Sequence, residues 1–277
     1  MVHTTTDHYF PGFGKCIYCG AKQNLTDEHI IPLSLGGKHV LSNASCRNCA
    51  KRTSRLERKI ARDFWGDARL AYDAPSRRKS RNPKYLDMDG LRIRADQFPG
   101  QFIFYHMPAP GILEGLHENV DTSKLWKLCA YGDKARLEKL HQKHPSRVKF
   151  RIRHFPTEFG QLLIKVGYTQ TLTVLSPDEL QHSFAPYIFS EKPNVSYIVG
   201  CAKAPPIIPK GLGSFLGNYM VGDLNKVLIV AQIQIFSELS SPVYDVVVGT
   251  VEGRENIKNL LPRIGLGDSS RRLFSGP

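Results

Sequence analysis

The sequence contains no apolar run approaching the roughly 18 residues that a membrane-spanning helix requires. It also lacks an apolar segment of the signal-peptide type near residue 1, since residues 1–8 are mostly polar. Acidic residues are scarce: 25 Asp and Glu stand against 38 Lys and Arg, which gives a net charge of +13. These absences argue against a membrane protein, and we expect a cytoplasmic protein with an affinity for polyanions.

The excess of positive charge is concentrated in one part of the chain. Residues 51–84 contain 12 Lys or Arg and four acidic residues, a net charge of +8. Within this stretch, residues 75–84 carry five cations and no acid, which is typical of an exposed linker or arm. The clustering predicts contacts with nucleic-acid phosphates, and a solvated linker beside a solvated helix is the alternative. The candidate contacts are Lys51, Arg52, Arg55, Arg58, Lys59, Arg62, Arg77, Arg78, Lys79 and Arg81.

Four of the six cysteines form two Cys-x-x-Cys pairs, Cys16 with Cys19 and Cys46 with Cys49. In a chain without an export signal, such pairs predict a metal site rather than disulfides. Four thiolates complete the tetrahedral shell of Zn²⁺ and leave no open position, so we expect a structural zinc ion. The two remaining cysteines lie far along the chain, and we expect them to be ordinary buried residues.

The 26 residues between the two cysteine pairs form an insertion in the expected zinc frame. Residues 29–33 are apolar and predict a strand, and Gly36-Gly37 predicts a reversal of the chain. Residues 39–41 are the candidate return strand. From residue 47 onward, apolar residues recur every four positions and predict a helix. The expected order is therefore strand, turn, strand, helix.

An acid and a histidine, Glu28 and His29, stand at the start of this insertion's first predicted strand. A histidine can act as a base near neutral pH, and a carboxylate can hold a hard cation such as Mg²⁺. Hydrolysis of a phosphodiester needs both a base for water and a cation for the phosphoryl oxygens. Adjacent Glu and His also occur by chance in many proteins, so the pair alone does not decide the chemistry.

The segment as a whole resembles an HNH endonuclease of the zinc-containing ββα-metal type. The resemblance rests on Cys16-x-x-Cys19, Glu28-His29-Ile30-Ile31-Pro32, Gly36-Gly37, Asn43 and Cys46-x-x-Cys49, in that order. It is closest to the subgroup whose motif begins with Glu-His-x-x-Pro and is flanked by cysteine pairs. The resemblance covers about residues 14–62. Beyond them, no resemblance to a named family is found.

The resemblance implies a role for each motif residue. His29 is expected to be the general base that activates the attacking water, and Glu28 a ligand of a catalytic Mg²⁺ or Mn²⁺. Asn43 is expected to brace the loop that orients the histidine. The four cysteines are expected to hold the structural Zn²⁺. Double-stranded DNA is the expected substrate, because the family mostly cuts DNA.

The sequence departs from the family's pattern at position 50. The family places His or Asn directly after the last cysteine as the second metal ligand, whereas this chain has Ala50, whose side chain cannot bind a metal. Three explanations stay open: a naturally inactive relative, a residue altered to abolish cleavage, or a ligand supplied from elsewhere. Glu57, two helical turns further on, is the first candidate ligand, and Asn48 and His39 are weaker ones.

The remainder of the chain carries no motif, but its pattern predicts mixed secondary structure. Residues 158–175 predict a buried helix, and residues 176–179 have the pattern of a helix start. Residues 226–236 and 243–249 are rich in β-branched residues and predict an antiparallel hairpin. The predicted fold class is α+β, with an N-terminal ββα-metal domain and a larger α+β domain that contains an antiparallel sheet. The predicted divisions are a leader at 1–15, the HNH domain at 16–66, a basic linker or arm at 67–100 and an accessory domain at 101–277.

These observations predict a metal-dependent HNH endonuclease that hydrolyses DNA phosphodiester bonds, in a protein of bacterial or phage origin. The alternatives are an inactive, zinc-stabilised DNA-binding protein, a variant inactivated at Ala50, and a zinc-stabilised protein-interaction module. Residues 101–277 could read a DNA modification, form a homodimer or bind a protein partner, and no motif there decides between these roles.

Overall fold

The computed structural model describes residues 8–71, 83–88, 90–145, 153–189, 191–205 and 214–264. Over these ranges the fold is α+β, as the sequence predicts, with antiparallel sheets in its larger part. Part of the predicted leader lies outside the described residues, and so do four of the predicted phosphate contacts, Arg77, Arg78, Lys79 and Arg81. In the described part of the chain, no helix is both long and apolar enough to span a lipid bilayer.

The N-terminal part is a three-stranded sheet with its longest strand in the middle. The order is β1 (His8–Phe10), β3 (His39–Cys46), β2 (Leu25–His29). Strand β1 runs parallel to β3, and β2 runs antiparallel to it. A helix, α1 (Arg47–Arg58), follows β3 directly. The predicted order of strand, turn, strand and helix is therefore confirmed.

The predicted position of the first strand is wrong. Strand β2 ends at His29 rather than starting there, and a 3₁₀ turn at Leu33–Leu35 follows. Ile30 and Ile31, which suggested a strand, lie instead after β2 and are buried in the core, with 0% and 5% of their surface exposed. Pro32 has no backbone N–H to donate, and the turn begins directly after it.

The chain continues from α1 through a π-helical turn, Lys59–Phe64, into a short helix, α2 (Gly66–Ala71). Two antiparallel hairpins follow, one of β4 (Tyr85–Met88) with β5 (Leu91–Arg94), and one of β6 (Phe102–His106) with β7 (Lys127–Tyr131). Helix α3 (Lys134–Lys143) comes after β7. The stretch predicted as a linker or arm, residues 67–100, thus contains most of α2 and a hairpin, and its boundaries stay a prediction.

The larger sheet lies in the C-terminal part of the chain. Its path is β10 (Ser214–Gly222), β11 (Lys226–Ile235), β12 (Tyr244–Glu252), and β12 also pairs with β8 (His182–Ser183) and β9 (Val199–Cys201). Helix α5 (Arg254–Leu260) follows β12. The predicted hairpin is confirmed, because β11 and β12 are antiparallel neighbours. The predicted helix start at 176–179 is a capping box on a 3₁₀ turn.

Helix α4 (Pro156–Thr171) confirms the predicted buried helix and packs against both the larger sheet and α1. It begins with Pro at its first position, where the missing N–H is not needed. Gly167 lies so close to the sheet that a Cβ atom there would be 3.1 Å from the side chains of Ala231 and Val246. A small residue at this position lets the helix approach the strands closely.

One continuous cluster of buried apolar residues joins the N-terminal and C-terminal parts of the chain. It includes Ile30, Ile60 and Trp65 on one side and Phe159 and Val246 on the other. The division into domains at 16–66 and 101–277 stays a prediction, but the two segments share one core.

Candidate functional site

The four cysteines of the two pairs lie together beside the start of α1. Their sulfur atoms all lie within 4.8 Å of one another, and those of Cys19 and Cys46 are 3.7 Å apart. A tetrahedral shell with Zn–S bonds of about 2.3 Å places its sulfur atoms about 3.8 Å apart. The cluster therefore fits a closed, structural zinc site of Cys16, Cys19, Cys46 and Cys49.

Cys46 is the N-cap residue directly before α1, and this position favours its thiolate. The backbone N–H of Cys49 donates a hydrogen bond to the Cys46 sulfur and, as the main cause, lowers the pKa of Cys46 to about 7. Zinc binds the thiolate rather than the thiol. The hydrogen bond from Cys49 thus favours the ligand form of Cys46.

Glu28 and His29 are the last two residues of β2, and adjacent residues of a strand point to opposite faces. Glu28 is buried, with 4% of its surface exposed. His29 is half-buried, and its Nε2 atom is among the buried polar atoms. The acid therefore faces the interior, and the histidine lies at the edge between the interior and solvent.

Asn43 lies in a bulge of β3, where the register between β2 and β3 shifts. Its φ of 47° is in the left-handed region, which asparagine tolerates better than most residues. Its backbone N–H donates to Oδ1 of Asp27 at 2.9 Å. This contact holds the bulge against β2, two residues before His29. A bracing role for the Asn43 side chain stays a prediction.

The group that faces Glu28 is the ammonium of Lys165, which belongs to α4. Lys165 is fully buried, with 0% of its surface exposed. Its Nζ atom lies 2.9 Å from Oε1 of Glu57 and 3.1 Å from Oε1 of Glu28. It also donates to the carbonyl oxygens of His29 and, at 3.2 Å, Ile30. If Glu57 is to be a second metal ligand, it must lie near Glu28, and the structure does bring these two residues together. The group between them, however, is the Lys165 ammonium.

The carboxylates of Glu28 and Glu57 keep Lys165 protonated. Burial alone lowers the pKa of a lysine, whereas the negative charges of Glu57 and Glu28 raise it. The net result is a pKa of Lys165 above its ordinary value. The group is therefore a permanent cation at physiological pH.

A comparison with protein families matches residues 16–65 to the family described as HNH endonuclease. This segment is an HNH endonuclease region. It contains both cysteine pairs, Glu28 and His29 on β2, Asn43 on β3, and all of α1. The match covers less than a fifth of the chain. No curated protein and no solved structure matches the chain.

The Mg²⁺ or Mn²⁺ ion expected at Glu28 does not fit the HNH region as it is arranged. Mg²⁺ requires oxygen ligands at about 2.0–2.1 Å in near-octahedral geometry. The oxygens of Glu28 and Glu57 instead surround the Lys165 nitrogen at 3.1 Å and 2.9 Å. The ammonium fills the space between them, and a second cation there would be repelled by it.

The other candidate ligands of the HNH region lie apart from this cluster. Ala50 is in the first turn of α1, and its carbonyl accepts a hydrogen bond from the Thr53 hydroxyl at 3.2 Å. Asn48 is exposed in the same turn. His39 begins β3, and its ring lies 5.7 Å from the ring of His8. Among the described residues, neither Asn48 nor His39 contacts Lys165.

The predicted phosphate contacts on and after α1 fall into two groups. Lys51, Arg55 and Arg58 recur at spacings of four and three, so they share one side of the helix, and all three are exposed. Arg62, in the π-helical turn, is exposed as well. We call these four residues the basic face. Their charges are directed to solvent, where a phosphate backbone can reach them.

The second group contacts the C-terminal part of the chain. The guanidinium carbon of Arg52 lies 3.9 Å from the centre of the Phe189 ring, and the group donates to the Phe189 carbonyl at 3.1 Å. Lys59 forms an ion pair with Glu158 on α4. Phosphate contacts by Arg52 and Lys59 stay predictions, but their charged groups already have intramolecular partners.

Reasoning from the sequence missed Lys165. The apolar residues of 158–175 predict a buried helix, but this pattern does not indicate what the lysine among them contacts. The available signal was a single cation flanked by Leu162, Leu163, Ile164 and Val166, all of which are fully buried. A lysine with such neighbours must find a carboxylate from another element, because an unpaired buried charge is very costly.

Proposed function

We propose that the chain is a DNA endonuclease of the HNH type, with His29 as the general base in phosphodiester hydrolysis. The observation that carries the proposal is the match of residues 16–65 to the HNH endonuclease family. His29, at the end of β2, is assigned as the base because the motif around it resembles that of the family. Double-stranded DNA is the proposed substrate because of that family and because the basic face offers its charges to solvent.

In this proposal the chain supplies three parts of the reaction. The His29 imidazole accepts the proton of a water molecule as that water attacks the phosphorus atom. The bond from phosphorus to the leaving deoxyribose oxygen breaks, and that oxygen takes a proton from solvent. The basic face holds the flanking phosphates and releases their counterions. The zinc cluster fixes β3 relative to α1, since Cys46 stands at the junction of these two elements. No step is assigned to a divalent ion at Glu28, because the Lys165 ammonium fills that position.

Nicking of supercoiled plasmid by the zinc-loaded chain tests this proposal, with separate assays in Mg²⁺, in Mn²⁺ and without an added divalent ion. We expect nicking by the wild type and loss of nicking in His29→Ala. The matched control is His39→Ala, because His39 lies on the neighbouring strand and its ring packs against the rings of His8 and Phe10. Nicking that persists in His29→Ala, or no nicking by the wild type in any assay, would overturn the proposal.

A second candidate function is DNA binding without cleavage, and two observations favour it. Position 50 has no metal-binding side chain, and the Lys165 ammonium occupies the space beside Glu28. A binder would shift DNA in a gel with an affinity that falls steeply with salt, and it would not nick plasmid. Ala50→Asn and Ala50→His, assayed in parallel, show whether one restored ligand is enough for cleavage. If neither variant nicks while the wild type binds DNA, the second function holds.

A further inference from the structure

Helix α4 carries one charged side chain into the interior of the protein. Lys165 and its neighbours Leu162, Leu163, Ile164 and Val166 each expose 0% of their surface. Burial of an ammonium is very unfavourable unless opposite charges and hydrogen-bond acceptors surround it. The surroundings of Lys165 must therefore be built to hold a cation.

Those surroundings consist of four oxygen atoms from the HNH region. Two are carboxylate oxygens, one from β2 and one from α1, and two are the carbonyl oxygens of His29 and Ile30. Carboxylate and carbonyl oxygens are also the ligands that hard metal ions prefer. Two carboxylates and one ammonium leave one negative charge in excess. In charge and in donor type, this oxygen cage matches a divalent ion as well as it matches a lysine.

We infer that the Lys165 ammonium is an internal substitute for a divalent cation, and that it occupies the cation position of the HNH region in place of a metal ion. The inference rests on the family assignment of residues 16–65, but it does not depend on cleavage. It identifies the oxygen cage of Glu28, Glu57 and the His29 and Ile30 carbonyls as a cation site whose resident ion is a side chain of α4.

The substitution has a physical consequence for metal binding. With Lys165 in place, a metal ion cannot enter the cage, because it would meet a fixed positive charge. Without the ammonium, the buried carboxylate of Glu28 and the partly buried carboxylate of Glu57 would face each other, and a divalent ion would neutralise both. The cage would have to contract, since its present N···O distances of 2.9–3.2 Å exceed metal–oxygen distances of about 2.0–2.6 Å.

The test is a Mn²⁺ titration of the zinc-loaded full chain, followed by the electron paramagnetic resonance signal of free Mn²⁺. The variant is Lys165→Met, which keeps the apolar stem and removes the ammonium. We expect Lys165→Met to bind one Mn²⁺ more than about tenfold more tightly than the wild type does. The added site should disappear in Lys165→Met/Glu57→Gln. Mn²⁺ should also raise the melting temperature of Lys165→Met and leave that of the wild type unchanged.

The matched control is Lys59→Met, which also removes a lysine that pairs with an acid between the HNH region and α4, but at a partly exposed site. It should gain no Mn²⁺ site. The inference is overturned if the wild type binds one Mn²⁺ and Glu28→Gln abolishes that binding. It is also overturned if Lys165→Met gains no site, or stays unfolded in Mn²⁺. Because the readout is binding, the plasmid assay can fail without affecting this result.

Discussion

The Nζ atom of Lys165 lies 3.1 Å from a carboxylate oxygen of Glu28, and this ion pair joins α4 to the strand that ends in His29. The same nitrogen lies 2.9 Å from Glu57 on α1. One side chain from the C-terminal part of the chain therefore holds the two elements of the HNH region that carry Glu28 and Glu57.

Replacing Lys165 by Met should destabilise the protein strongly in the absence of divalent ions. The change leaves the buried carboxylate of Glu28 and the partly buried carboxylate of Glu57 without their counter-charge, and loss of one partner of a buried ion pair costs about 3–5 kcal/mol. The measurement is the free energy of unfolding in urea, with EDTA omitted so that the zinc is retained. Lys59→Met, whose lysine side chain is 38% exposed, should cost less than about 1 kcal/mol. Equal losses of unfolding free energy in the two variants would contradict the conclusion that burial makes the Lys165 ion pairs important for stability.

Removal of zinc should unfold the HNH region. Cys49→Ser removes one thiolate of a closed four-sulfur shell, and binding of a structural zinc is coupled to folding. We expect the purified variant to hold much less zinc by atomic absorption and to melt at a lower temperature by circular dichroism. Cys129→Ser is the control, since Cys129 is half-buried and lies outside the cluster. A full equivalent of zinc in Cys49→Ser would refute the four-cysteine site.

Loss of a cation from the basic face should weaken DNA binding in a salt-dependent way. Each phosphate contact contributes about 0.9 to the slope of log affinity against log salt. Arg55→Ala should therefore reduce the magnitude of that slope by about one, as measured by fluorescence anisotropy over a salt series. The control is Arg52→Ala, because the Arg52 guanidinium is engaged by Phe189. It should leave the slope unchanged, and a change as large as that of Arg55→Ala would show that Arg52 binds phosphate too.

Asp245 should make the protein less stable as the pH rises from about 4. Burial on β12 raises the pKa of its carboxyl, and hydrogen bonds from Tyr219 and Gln232 only partly offset this. Because its pKa is higher in the folded state, Asp245 contributes stability at low pH that is lost as the pH rises through that pKa. Asp245→Asn should be more stable than the wild type at neutral pH, and the difference should shrink toward pH 4, as measured by urea unfolding.

Asp223→Asn is the control for Asp245→Asn, because it should change the stability at neutral pH in the opposite direction. Hydrogen bonds from the backbone N–H groups of Asn225 and Lys226 lower the pKa of its carboxyl. Its contribution to stability is therefore present at neutral pH and lost as the pH falls through that pKa. Asp223→Asn should be less stable than the wild type at neutral pH. If both Asn variants shift stability in the same direction, the assignment for Asp245 is wrong.

Features with a local cause were predictable from the sequence. The zinc cluster follows from the spacing within each cysteine pair, and the β11–β12 hairpin follows from two runs of β-branched residues separated by a turn. The helix after Cys46 follows from its apolar period. In each case the residues that decide the structure are close together in the chain.

Features that depend on distant partners were not predictable. The apolar residues Ile30 and Ile31 suggested a strand because burial in a core and pairing in a sheet favour the same residue types. Periodicity along α1 could not show that Arg52 faces Phe189, since it does not say which side of a helix meets another element. Lys165 was missed for the same reason, because its partners lie on β2 and α1.

The shared core and the contacts of α4 decide whether the HNH region can be moved to another protein. Cut out as residues 16–66, it would lose the acceptor of the Trp65 ring N–H, the Ile103 carbonyl at 2.6 Å. It would also lose the Tyr168 hydroxyl, which donates to the Ile17 carbonyl at 2.8 Å, inside the first cysteine pair. Glu28 would keep no counter-charge. Residues 16–66 should therefore not fold and function when transferred alone to another protein, and a transferred segment would have to include α4.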